Sequence, residues 1–281
     1  MTTPSPVTPR PAATVIVLRP ANETPFEVLM VRRNDQVAFM AGAHVFPGGR
    51  VDDTDTAQPV AACDGLGTLG RLADLAPAEE ARYRVAAIRE LLEEAGVLLA
   101  RDASGAMADD ATAAEVRASL PATSSFVHHL AERNLRVALD AVMPFAHWVT
   151  PEIESRRYDT RFLLARVPAG QQASHDHGET TALDWLTPLE AVTRGERGEI
   201  VLPPPTWVTL MRLARFASID EAWQWAATTP IACIQPWVVK DGLLPLMLLG
   251  DATGPLPPGA EPFEGIRFEQ ILGVGWRPVR P

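Results

Sequence analysis

The segment from Ala78 to Ala95 carries the strongest helical pattern in this chain of 281 residues, and it constrains the fold more than any other feature. Apolar residues recur in it at i, i+3 and i+4, the spacing of a buried helix face; they are Ala87, Ile88, Leu91, Leu92 and Ala95. Gly96 follows, and glycine is a common helix C-cap because it accepts left-handed backbone. The pattern predicts a helix with one face in a core.

Three glutamates lie on this predicted helix. Glu90, Glu93 and Glu94 are spaced so that their carboxylates converge on one face, largely opposite the apolar stripe. Like charges at that distance repel, whereas a hard divalent cation such as Mg²⁺ would attract all three. The alternative is a solvated acidic face on which Arg89 is an ion-pair partner.

A glycine turn precedes the helix in sequence. The strand His44 to Phe46 runs into Pro47-Gly48-Gly49, where backbone groups can approach a ligand because no Cβ is in the way. Alone, this would be an ordinary tight turn. Beside the glutamates, it indicates a metal-assisted site.

Together the two segments resemble the Nudix box: a glycine, five residues, a glutamate, seven residues, then Arg-Glu-apolar-x-Glu-Glu-x-Gly-apolar. Arg89 to Val97 matches the second half at every defined position. Counted from Gly49, Asp55 stands where the pattern has its first glutamate, and the long stretch from Thr56 to Ile88 stands where it has seven residues. A long insertion here is typical of the coenzyme A (CoA) and acyl-CoA diphosphatase branch of Nudix enzymes (motif 19 type).

Segments outside the box are similar to the same branch. They are Phe39 to Phe46, His147 to Pro151, Glu154 to Phe162 and Leu202 to Pro205. A CoA-linked signature upstream of the box is matched in part, by Leu29, Arg32, Gly42 and Phe46 to Gly49, whereas Val28, Met30, Arg33, Asn34 and Ala38 depart from it.

The resemblance implies an α/β fold: a Nudix α/β/α sandwich with a helical insertion in the box and a C-terminal extension. We expect residues 1–281 to form one domain. Its core would span about 13–195, its insertion about 56–80 and its extension, with helices and a hairpin, about 200–281.

The resemblance also implies roles for the box residues. Glu90, Glu93 and Glu94 would bind Mg²⁺ or Mn²⁺, with the Gly48 carbonyl completing the coordination sphere. Arg89 would pair with Asp55 or Glu90 and hold the helix to the loop.

Many Nudix enzymes use one more glutamate outside the box, as a further ligand or a general base. Glu179 is the candidate here because it precedes the strand Leu183 to Leu186, and Glu152 and Glu154 are competitors.

Arginines are candidates for the phosphate groups of the substrate. Arg32 belongs to the CoA-linked signature, and Arg156, Arg157 and Arg161 crowd into six residues. Guanidinium groups suit phosphate oxygens, including a 3′-phosphate on CoA. Internal pairing of the last three with Glu152, Glu154 and Asp159 is an equal alternative.

The acidic composition limits the classes of molecule that the protein is expected to bind. A formal net charge of −10 speaks against nucleic acid and anionic membranes, but not against a small diphosphate held through a cation. No signal peptide or apolar run of membrane-spanning length is found, which predicts a cytoplasmic protein. A homodimer is compatible with the sequence.

The expected reaction is divalent-metal-dependent hydrolysis of the diphosphate in CoA or acyl-CoA, giving 3′,5′-ADP and 4′-phosphopantetheine or its acyl form. One alternative is the same chemistry on another nucleoside diphosphate derivative, such as NADH or ADP-ribose. Another is a degenerate Nudix module that only binds its ligand, an alternative motivated by Asp55 and the insertion.

Overall fold

The fold was analysed in a computed structural model, which describes residues 7–34, 40–120, 124–174, 180–241, 244–248, 267–271 and 275–279. The first half contains strands β1 (Arg10–Arg19), β2 (Glu27–Arg33), β3 (His44–Val45), β4 (Gly48–Arg50), β5 (Cys63–Asp64), β6 (Ala100–Arg101) and β7 (Arg136–Ala138). Its helices are α1 (Pro77–Ala95), α2 (Asp110–Ala118) and α3 (Phe126–Ala131).

The second half begins with strands β8 (Val142–Val149), β9 (Tyr158–Arg166) and β10 (Thr180–Leu186). Helices α4 (Pro188–Glu196), α5 (Pro204–Leu213) and α6 (Ile219–Thr228) follow. The last strands are β11 (Cys233–Ile234), β12 (Trp237–Asp241), β13 (Leu244–Leu248), β14 (Arg267–Ile271) and β15 (Gly275–Val279).

A large mixed sheet organises the fold. Its strand order is β10-β2-β1-β9-β8-β11, with β3 beside β2 and β4 beside β1. A hairpin joins β1 to β2 in antiparallel register, with Leu18 opposite Val28. In contrast, β1 and β9 run parallel, which brings residues from the beginning and the middle of the chain together at the centre of the sheet.

The helices cover both faces of this sheet, as the predicted sandwich requires. Alternate residues of β1 divide between two cores because successive side chains point to opposite faces. Val15 and Val17 join one core with Ile88 and Leu91 of α1. Ile16 and Leu18 join the other, which contains buried residues of α4, α5 and α6.

The predicted C-terminal extension is therefore part of the packing around the sheet. Trp207 and Leu210 of α5 and Ala222 of α6 are buried in the second core, and β11 pairs with β8 at the edge of the large sheet. The predicted hairpin joins β12 to β13 in antiparallel register. These two strands belong to a separate sheet with order β12-β13-β14-β15.

The insertion in the box is less helical than expected. Between β4 and α1 it contains 3₁₀ helices at Val60–Ala62 and Leu66–Thr68, separated by the short strand β5. Gly65 has a φ of +80° and lies against Asp140, so the chain turns there instead of extending a helix. Within the described residues, the first α-helix begins at Pro77.

A buried ion pair ties the insertion to α1. Arg84 and Glu80 are both fully buried, and Arg84 Nε donates to Glu80 Oε1 at 3.0 Å. Glu80 also accepts the backbone N–H groups of Gly70 and Leu72, while Arg84 donates to the Thr68 carbonyl. The helix that carries the box glutamates thus also holds the insertion.

Within the described residues, no helix combines the length and the apolar character that a membrane span requires.

Candidate active site

A cavity of about 550 Å³ lies where α1, β4 and the strands β1 and β9 meet. Its described lining consists of Ala12, Thr14, Arg33, Gly48, Gly49, Arg50, Asp52, Arg89, Glu90, Glu93, Glu94, Tyr158 and Thr160. The three glutamates and the glycine turn, which are far apart in the sequence, therefore share one cavity.

The two glycines of β4 are required by close packing. A Cβ on Gly48 would lie 2.3 Å from the Ala13 carbonyl oxygen, and a Cβ on Gly49 would lie 2.4 Å from Glu90 Oε1. The Gly48 N–H donates to Glu94 Oε2 at 2.9 Å. The turn thus brings bare backbone against two of the three carboxylates.

Arg89 connects the helix, the loop and the carboxylates. Its Nε and Nη2 donate to the two oxygens of Asp55, each at 2.9 Å. Its Nη1 donates to Glu90 at 2.9 Å and to Glu93 at 3.0 Å, and its Nη2 also donates to the Arg50 carbonyl. The structure contains both pairs that were expected as alternatives, Arg89 with Asp55 and Arg89 with Glu90.

Burial and neighbouring charges shift the pKa values of this network in different directions. Burial raises the pKa of Glu90 to about 7, although the neighbouring Arg89 charge opposes the shift. Burial alone would lower the pKa of Arg89, but the hydrogen bonds with Asp55 and the charges of the surrounding carboxylates raise it instead. Arg89 is therefore a permanent cation that holds acidic groups in place.

Comparison with known proteins identifies the family. Residues 69–213 match the family model described as NUDT19 Nudix domain. The chain belongs to the NUDT19 Nudix family.

Individual relatives agree with this family. The chain is 28% identical over 255 residues to the acyl-coenzyme A diphosphatase NUDT19 of Xenopus laevis, covering 77% of this chain and 67% of the relative. It is also 28% identical to the human protein of the same name, covering 90% of this chain and 76% of the relative. A crystal structure of a Nudix hydrolase from Alicyclobacillus acidocaldarius has a TM-score of 0.65 at 27% identity and covers 80% of this chain and 98% of its own.

The Nudix glutamates supply a donor set that fits a hard divalent cation. Glu90, Glu93 and Glu94 present carboxylate oxygens to the same cavity, the ligand chemistry that Mg²⁺ and Mn²⁺ prefer. Over the described ranges, no three acidic, histidine or cysteine side chains already converge in metal-ligand geometry. Glu90 and Glu93 face Arg89 instead, so ligation requires them to exchange part of that contact for the cation.

Two of the three crowded arginines are bound internally, mostly by partners other than those predicted; of the predicted acids, Asp159 lies 3.3 Å from Arg161 Nε. Arg161 donates to both oxygens of Asp74, at 2.9 and 2.7 Å, and its side chain is 3% exposed. Arg157 is buried and donates to the carbonyls of Thr150 and Val7. These contacts favour internal pairing over substrate binding for Arg157 and Arg161, because the guanidinium donors are directed to partners within the chain.

The remaining predicted residues lie outside the described lining of the cavity. Arg156 is exposed in the loop before β9, and Arg32 is on β2 opposite Ala182 and His44. Glu179 lies outside the described residues; its neighbour Thr180 is paired with Arg33, a residue that lines the cavity.

Sequence reasoning missed several residues of the cavity. Its described lining also includes two arginines, Arg33 and Arg50, and three hydroxyl-bearing residues, Thr14, Tyr158 and Thr160. The Nε atom of Arg33 is buried without a hydrogen-bond partner among the described residues. Alternation along β2 was the available signal, because adjacent residues such as Arg32 and Arg33 point to opposite faces.

Substitution Gly49→Ala should displace the Glu90 carboxylate, since the new methyl group would overlap it. We expect kcat/KM to fall roughly 10- to 100-fold, the range for disturbed support of metal ligands, with little change in the thermal midpoint. Gly67→Ala is the matched control because no atom lies within 4 Å of its added Cβ. Equal activity of the two variants in a steady-state assay would contradict this prediction.

Proposed function

We propose that this chain hydrolyses the diphosphate linkage of CoA or acyl-CoA in a reaction that requires Mg²⁺ or Mn²⁺. The products would be 3′,5′-ADP and 4′-phosphopantetheine or its acyl form. The observation that carries this proposal is the shared cavity of Glu90, Glu93, Glu94 and the Gly48-Gly49 turn, in a chain whose relatives are named acyl-coenzyme A diphosphatases.

The residues of the cavity have complementary tasks in this reaction. When bound, the metal ion would neutralise charge on the diphosphate and lower the pKa of the attacking water. Asp55 holds Arg89, and Arg89 holds the carboxylates of Glu90 and Glu93. Arg33 and Arg50 offer guanidinium groups to phosphate oxygens. Glu179 remains our candidate for the general base.

Catalysis is favoured over a module that only binds its ligand. The departure from the Nudix pattern that motivated that alternative, Asp55, makes a bidentate pair with Arg89 at 2.9 Å. A shorter acid thus performs the anchoring expected at this position. The insertion does not obstruct the site either, because none of its described residues lines the cavity.

A hydrolysis panel tests the substrate. CoA, an acyl-CoA, dephospho-CoA, ADP-ribose and NADH would be incubated with Mg²⁺ or Mn²⁺, and the products identified by mass spectrometry. We expect the highest kcat/KM on CoA or acyl-CoA, with 3′,5′-ADP as product. Much faster cleavage of ADP-ribose or NADH would replace the CoA proposal, and no turnover of any compound would favour the binding module. Comparison of dephospho-CoA with CoA measures the contribution of the 3′-phosphate to kcat/KM.

A further inference from the structure

The C-terminal end of α1 concentrates negative charge. Its last turn contains Glu93 and Glu94 and no basic residue. A helix C-terminus already carries a partial negative charge because its last carbonyl groups lack intrahelical donors. Two carboxylates beside that end raise the cost of keeping the last turn helical. Arg89 of the same helix pairs with the Glu93 side chain, and a further cation beside the last carbonyl groups would stabilise the turn.

Arg117, in the last turn of α2, supplies this cation. Its Nε and Nη2 donate to the Glu93 carbonyl oxygen at 3.1 and 2.6 Å. Its Nη1 donates to the carbonyl and hydroxyl oxygens of Ser174, at 3.0 and 3.2 Å. The Ser174 N–H in turn donates to the Ala95 carbonyl at 2.8 Å. One guanidinium group therefore joins the last turn of α1 to the segment that follows β9.

Both elements that Arg117 connects to α1 are held in place independently. Val116 of α2 is buried in the same core as α1. The buried side chain of Gln171 accepts from the Leu98 N–H and donates to the Leu98 and Ala108 carbonyls, with distances from 2.7 to 2.9 Å. Arg117 thus acts between segments that other contacts anchor to the core, which makes it suited to fixing the position of the helix end.

We propose that Arg117 is a positioning residue for the metal-binding carboxylates, acting through the last turn of α1. This proposal rests on the proposed function, since it assigns Glu93 and Glu94 to the cation. Arg117 donates two hydrogen bonds to the backbone carbonyl of Glu93, so its effect passes through the position and the electrostatic potential of that turn. It lies outside the box, in an element that the Nudix pattern does not include.

The test compares Arg117→Gln with Arg133→Gln in the full chain. Arg133 is the matched control because it also donates to a backbone carbonyl near a helix C-terminus, that of His129 in α3, and it is not among the residues that line the cavity. Mn²⁺ affinity is measured without substrate, from the electron paramagnetic resonance signal of free Mn²⁺. Thermal midpoints, kcat and KM are measured in parallel.

We expect Arg117→Gln to weaken Mn²⁺ binding about 10-fold, as loss of a supporting residue typically does. The kcat should fall at fixed Mn²⁺, the KM for substrate should change less than twofold, and added Mn²⁺ should restore part of the kcat. Arg117→Lys, which keeps the positive charge, should retain more Mn²⁺ affinity than Arg117→Gln. Arg133→Gln should leave Mn²⁺ affinity unchanged.

Equal Mn²⁺ affinity in Arg117→Gln and the unmodified chain would overturn the proposal and leave Arg117 with a structural role only. So would an unmodified chain that does not bind Mn²⁺. If no compound of the panel is hydrolysed, the proposed function fails, whereas the Mn²⁺ measurement still decides whether Arg117 positions the carboxylates. If Arg117→Gln does not fold, Arg117→Lys carries the comparison, and Mn²⁺ affinity equal to that of the unmodified chain would then overturn the proposal.

Discussion

Substitution Glu93→Gln is expected to reduce kcat/KM by about three orders of magnitude, because it removes one of the proposed anionic ligands and with it several kcal/mol of transition-state stabilisation. The fold should survive. The Glu93 side chain is 39% exposed, whereas that of Glu90 is 13% exposed, so an amide at position 93 does not leave an uncompensated group in the core. The measurement is steady-state hydrolysis of the best substrate at saturating Mn²⁺, together with circular dichroism and Mn²⁺ binding.

Glu79→Gln is the control for this experiment. Glu79 lies on the same helix, in its first turn, where it makes an exposed ion pair with Arg82. The Glu79→Gln variant should retain full activity and full Mn²⁺ affinity. A Glu93→Gln variant that keeps most of its activity would show that this carboxylate is not needed for the reaction and would remove it from the proposed metal site.

Substitution Arg84→Met is expected to destabilise the protein by about 3–5 kcal/mol, because it leaves the buried Glu80 carboxylate without its cation. Burial lowers the pKa of Arg84, while the charge and the hydrogen bond of Glu80 raise it. Arg84 also donates to the carbonyls of Thr68, Leu139 and Val142, which a methionine cannot satisfy. The expected decrease in the thermal midpoint is about 10 °C.

The control for Arg84→Met is Arg82→Met, two residues away on the same helix. Arg82 pairs with the half-exposed Glu79, and such surface pairs contribute about 1 kcal/mol or less. In calorimetric unfolding, the thermal midpoint of Arg84→Met should therefore lie well below that of Arg82→Met. Equal midpoints would mean that the buried pair contributes no more than the surface pair. The double substitution Glu80→Met/Arg84→Met should not recover the stability, since Gly70 and Leu72 would lose their hydrogen-bond acceptor.

The elements that the sequence predicts best are those set by local patterns. The apolar periodicity predicted a helix over Ala78 to Ala95, and the structure has α1 at Pro77–Ala95 with Gly96 as a left-handed C-cap. The box spacing predicted that three carboxylates share a face, and they line one cavity. The insertion was predicted less well, since its short 3₁₀ helices have no apolar periodicity to reveal them.

The partners of the charged side chains could not be predicted in the same way. Arg161 and Asp74 are 87 positions apart, and nothing near either residue in the sequence identifies the other. The same holds for Arg117, whose acceptors are the carbonyls of Glu93 and Ser174. Arg33 lines the cavity because of its position on β2. The sequence alone did not show that Arg33, and not Arg32, would lie on that side of the strand.

The sequence by itself therefore determined the family and the helix that carries the three box glutamates, because helical periodicity and the box spacing are properties of neighbouring residues. Only the tertiary structure decided which arginines face the cavity, that α5 and α6 cover one face of the sheet, and which residues support the last turn of α1. These features depend on contacts between distant segments, and such contacts are set by the packing of the whole chain.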